Sequence, residues 1–160
     1  MARDILLLRS ARHLLTAVRA LQARYPGDRI TIASQTGTEE ILDLLDVPAR
    51  QRILVPWRRF TSTALLRTRE GRQLLGRHFD EVAVLWLGPD GAGYSNVNRA
   101  ALLLAPGGFL AITPAGDVVR QTPRRVLASE ARYAARSVAA ALPIGALLLA
   151  PARLLRLVGL

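Results

Sequence analysis

Short, almost wholly apolar runs recur along this chain, and each is separated from the next by a segment of helical period. DILLLR (4–9) suits a central strand, and RITIAS (29–34) reads as a second. Between them Leu14, Leu15, Val18, Leu21 and Tyr25 fall on one face of a helix over 12–25, which Pro26, Gly27 and Asp28 end in a turn. A crossover of this length between two apolar strands is a βαβ unit, which implies parallel pairing.

The alternation continues. Thr38 can cap a short helix with Glu39 and Glu40 in its first turn, and Ile41, Leu42, Leu44 and Leu45 are expected to pack inward. RILVPW (52–57) reads as a third strand, ended or held at an edge by Pro56. The arginine-rich stretch 61–77 has a helical pattern that Gly71 and Gly76 weaken. EVAVLWL (81–87) is a strong strand, followed by the loop GPDGAGYSN (88–96) and a helix over 97–104 that Asn96 or Ser95 can cap. Pro106, Gly107 and Gly108 turn the chain into FLAIT (109–113), and Val118 and Val119 extend the sheet or pair with it. The expected fold class is α/β: a Rossmann-like, mostly parallel sheet with flanking helices over residues 1–119, then a C-terminal apolar helical tail within 120–160.

Composition narrows the function. With 51% hydrophobic residues in 160, the chain can bury a real core. It has no cysteine, which excludes disulfides, thiolate metal sites and cysteine nucleophiles. His13 and His78 are too few for a metal cluster, so no metal is expected, and no cofactor is named. The net charge of +10 would attract phosphate-rich partners, but all 22 basic residues are arginine, a bias that base composition of the source also produces. Aromatics, at 5%, are not interleaved with arginine as a stacking platform needs, so nucleic acid is not the expected partner.

In open parallel sheets, ligands bind beyond the C-terminal ends of strands. Two loops qualify: RSARH (9–13), with Ser10 and His13, and the glycine-rich loop 88–96. Gly88, Gly91 and Gly93 allow backbone approach, and Asn96 lies where a helix begins, so these and Ser10 are the candidate ligand-binding residues. The bland reading is an ordinary βα loop, since the spacing is not the dinucleotide pattern. His13 is the one candidate for a catalytic acid or base, and no carboxylate shares its loop. Arg58 and Arg59 are a phosphate candidate or a solvated pair, while Asp80 and Glu81 stand at the wrong end of their strand for a site.

Beyond Arg120 the character changes. Arg120, Arg124, Arg125, Arg132 and Arg136 accumulate along a helical stretch, and 138–152 then carries no charge. Fifteen residues fall short of the ~20 a spanning helix needs, and Pro143 and Pro151 break the run. One reading is a monotopic, re-entrant or interfacial anchor on the cytoplasmic face of a membrane, with Arg132, Arg136, Leu142, Leu147, Leu148, Leu149, Arg153 and Arg156 against lipid. The other is a buried core or dimer helix.

ILLLR with ALQARYPGDRITIASQTGTEEILDLL (20–45), and later FDEVAVLWLG (79–88), resembles the N-terminal Rossmann-like domain of lipopolysaccharide heptosyltransferases, which are GT-B glycosyltransferases. The resemblance implies the acceptor-side fold of a glycosyltransferase, accessory to or dependent on a partner, in cell-envelope glycan or glycolipid assembly. Its partners would be membrane lipid and either a separate glycosyltransferase subunit or a second copy. The family's Gly-Asp pair after the first strand, which carries the catalytic base, has no counterpart in RSARH, and its C-terminal donor domain has no room in 160 residues. LLLAPGGFLAITPAG (102–116) resembles a late strand of class I methyltransferases, although RSARH offers no glycine for S-adenosylmethionine. A binding module for anionic lipid or nucleic acid is the third alternative.

Overall fold

A computed structural model describes residues 2–9, 13–88, 91 and 93–136. The chain divides into two compact units, Met1–Val126 and Leu127–Leu160. The first is an α/β sheet domain. Its strands are β1 (Asp4–Leu8), β2 (Arg29–Gln35), β3 (Arg52–Val55), β4 (Glu81–Leu85), β5 (Phe109–Ile112) and β6 (Val118–Gln121). They line up in the order β3-β2-β1-β4-β5-β6, with the first five parallel and β6 antiparallel to β5. The expected Rossmann-like sheet is therefore present, and β3 with its trailing Pro56 is an edge strand.

The apolar runs are continuous because both faces of the central strands are covered. Leu6 and Leu8 of β1 join Val82 and Val84 of β4 in one layer, closed by α3 (Ser62–Arg67), α4 (Arg69–Leu75) and α5 (Ser95–Leu104). Ile5 and Leu7 join Ile30 and Ile32 in the other, under α1 (Leu14–Arg24) and α2 (Glu39–Leu44). Each fully buried leucine contributes roughly 1.5–3 kcal/mol by leaving water.

Several local expectations need correction. On α1 the buried face is Leu14, Ala17, Val18 and Leu21, while Leu15 turns outward. The helix α2 is only six residues long, so a single position, Leu42, reaches the core; Ile41 is exposed and Leu44 is 84% exposed. Thr38 precedes α2 without capping it through its side chain. The stretch 61–77 is two helices. Thr68 interrupts them, its hydroxyl donating to the Ala64 carbonyl and accepting from the Gly71 N–H, so it closes α3 and opens α4. Gly71 permits the bend: a Cβ there would lie 2.3 Å from the Leu65 carbonyl oxygen.

Residues 123–126 are helical and end the first unit, with Val126 buried. Residues 127–136 are the described part of the second unit; they are helical, and 131–136 are exposed.

Candidate functional site

Chain order reverses at β1, which has β2 on one side and β4 on the other. The C-terminal ends of these strands are where an open parallel sheet receives a ligand. The opposite, N-terminal edge is filled with satisfied ion pairs. Asp4 accepts from Arg29 and from the Thr31 hydroxyl, at 3.0 and 2.9 Å. Arg3 pairs with Asp28 and Arg120 with Glu81, and Asp80 accepts the Asp4 N–H at 2.7 Å.

At the C-terminal end of β1, the Arg9 N–H donates to the Ala33 carbonyl at 2.9 Å and so prolongs the β1–β2 ladder by one residue. Side chains alternate along a strand, so Arg9 follows Ile5 and Leu7 to the α1–α2 face. Ser34 follows Ile30 and Ile32 to that same face and is fully buried. The Arg9 Nη1 donates to Ser34 Oγ at 3.2 Å, Ser34 Oγ and Thr38 Oγ1 are 2.7 Å apart, and Thr38 Oγ1 donates to the Gln35 carbonyl at 2.6 Å. Gln35 closes the group by donating from Nε2 to the Arg9 carbonyl at 3.3 Å.

Each hydroxyl has a single proton to give. That of Thr38 is taken by the Gln35 carbonyl, so Ser34 must donate to Thr38 and accept from Arg9. The direction of the whole chain is fixed: Arg9 to Ser34 to Thr38 to the Gln35 carbonyl. The Arg9 Nε is buried without a hydrogen-bond partner. Burial lowers the Arg9 pKa, yet a guanidinium stays protonated at neutral pH. Among the described residues, no carboxylate comes within ion-pair distance of it.

The end of β4 is built differently. Trp86 continues the strand, its N–H donating to the Ile112 carbonyl, and its indole Nε1 donates to the buried Asn98 Oδ1 at 3.0 Å. Gly91 folds over this ring with φ at +67°, and a Cβ on it would meet the indole at 2.6 Å. Tyr94 sits at the N-cap of α5, with no side-chain cap bond; Ser95 and Asn96 lie inside the first turn, which corrects the expected capping. Burial raises the Tyr94 pKa, opposed by a hydrogen bond with the Leu87 backbone.

Of the residues singled out from sequence, Gly91 is packed against Trp86, Gly93 faces open space with φ at +80°, Gly88 is half-buried and Asn96 is exposed. His13 is exposed at the N-cap of α1 and makes no side-chain bond to that helix. Ser10 and Asp90 lie outside the described residues. So do Leu142, Leu147, Leu148, Leu149, Arg153 and Arg156, while Arg132 and Arg136 are exposed on a helix. Among the described residues no helix is long and apolar enough to cross a membrane. The sequence singles out loop 9–13 for Ser10 and His13, but not Arg9, Ser34, Gln35 or Thr38. The available signal is a serine on the face of β2 that otherwise carries Ile30 and Ile32.

No protein-family model, curated protein or solved structure matches this chain. The reading of the site therefore rests on its own geometry.

Proposed function

We propose that this chain is a membrane-associated, glycosyltransferase-like half-domain in cell-envelope glycan or glycolipid assembly. It holds a ligand at the C-terminal edge of its sheet and depends on a separate subunit, or a second copy, for the rest of the reaction. The observation that supports this reading is the chemistry of that edge, where, among the described residues, donors are held in place but no oriented base is. Transfer to an acceptor hydroxyl needs an oriented general base within hydrogen-bond reach. His13 is exposed with no partner to orient it, and Asp117, near the end of β5, is tied into a turn with Thr113. The sugar-linked identity of the ligand comes from the resemblance of 20–45 and 79–88; membrane association comes from the basic stretch after Arg120 and the uncharged run 138–152.

The test is titration of the full chain with nucleotide sugars, sugar phosphates and S-adenosylmethionine, paired with a transfer assay on a lipid-linked acceptor. Binding of a sugar ligand without transfer is expected. Transfer by the chain alone would end the half-domain reading. Binding of S-adenosylmethionine alone would replace it with the methyltransferase one.

A further inference from the structure

We propose that Arg9 is the receptor for a phosphate group, and that Ser34 and Thr38 are the residues that position it. This deepens the reading above and rests on it only in taking the C-terminal edge as the ligand-facing one.

The first ground is charge. Arg3, Arg29, Arg52 and Arg120 each reach a carboxylate. Arg9 is partly buried, has an orphaned Nε, and among the described residues its guanidinium bonds to a neutral hydroxyl and to no carboxylate. A guanidinium withdrawn from water without a counter-ion is a standing cost to the fold. An anion that arrives with the ligand removes that cost.

The second ground is the direction of the hydroxyl chain. Both hydroxyl protons are spent inside the protein, so Ser34 and Thr38 have none to offer a ligand. What they do is hold a lone pair against Nη1 and fix the plane of the guanidinium. A guanidinium has five N–H donors; with Nε buried and one Nη1 donor on Ser34, the remaining Nη donors are left for a tetrahedral or planar oxyanion.

The third ground selects the anion. In dinucleotide-binding sheets the end of the second strand carries an acid when it must receive ribose hydroxyls, and an arginine nearby when it must receive a phosphate. Here β2 ends in Ser34 and Gln35, both neutral, with Arg9 laid across them from β1. That set matches phosphate and offers nothing to a diol.

The experiment is thermal unfolding of the full chain in inorganic phosphate, acetate and chloride at matched ionic strength. Phosphate should raise Tm by about 5 °C near saturation, and the other two should not. Arg9→Met should abolish the phosphate shift while its Tm in chloride equals or exceeds the parent's. Arg9→Lys, which keeps the charge and loses the fork, should weaken phosphate binding tenfold or more. Thr38→Val should weaken it about fivefold, and Thr38→Ser should restore it, a rescue that general destabilisation would not produce. A shift that survives both Arg9 substitutions, or one that acetate or chloride reproduces, would overturn the proposal. Sugar phosphates and phosphatidic acid vesicles as further arms assign the phosphate to a soluble ligand or to a lipid headgroup. If inorganic phosphate binds through Arg9 but no sugar phosphate binds better, the site stands and the glycan reading falls. If sugar ligands bind the parent and Arg9→Met equally, the glycan reading stands and the phosphate site falls.

Discussion

The two edges of this one sheet treat charge in opposite ways. At the N-terminal edge Asp4, Asp28, Asp80 and Glu81 are each engaged, and the arginines there have carboxylate partners. At the C-terminal edge Arg9 is more enclosed yet, among the described residues, its guanidinium has a hydroxyl and no carboxylate. The C-terminal edge is itself divided. The β4 end fills its space with Trp86, satisfied by Asn98 and covered by Gly91, while the β1–β2 end leaves a cation unanswered. Polar groups that a fold uses for itself are satisfied within it. Arg9 Nε departs from that rule, as the neutral Trp57 Nε1 does, and as a cation at the ligand-facing strand ends it is where an anion would be answered.

The comparison can be broken by substitution. Gly91→Ala should be the most damaging, at about 2–4 kcal/mol, because it adds a Cβ against the Trp86 ring at a left-handed backbone position. Chemical denaturation reads it directly, and a loss below the noise would mean the β4 loop is not packed as described. Asn98→Leu comes next, at about 1–3 kcal/mol, since it strands the buried indole N–H. Asp4→Ala should cost about the same or slightly less, because Thr31, itself buried, loses its acceptor. Arg9→Met should leave stability within about 1 kcal/mol of the parent or raise it. A loss as large as that of Asp4→Ala would erase the distinction between the two edges.

The smallest effect expected is one of pH. The Tyr94 pKa is raised by burial, so its stabilising contribution is complete below the ordinary tyrosine value of 10.0 and is lost as pH climbs through the raised one. Melting curves above pH 9 should fall less steeply for Tyr94→Phe than for the parent.

The sheet was legible in the sequence because buried parallel strands must be apolar throughout, and few other structures demand that pattern. Helix faces were harder to read. Ile41 and Leu44 look inward by period, but a helix of six residues presents little more than one position to the core. Thr68 was read through as part of one helix because no local pattern distinguishes a residue that caps two helices from a tolerated polar one. The site was half legible. The strand-end loop 9–13 stands out for Ser10 and His13, whereas Arg9, Ser34 and Thr38 gain meaning only when pairing brings β2 beside β1 and joins them. Spacing along the chain does not contain that juxtaposition.

The reversed direction of β6 has a consequence for the path of the chain. Because Gln121 stands opposite Phe109, at the start of β5, the backbone finishes the sheet on its N-terminal side. A sixth parallel strand would have delivered it to the side that holds Arg9.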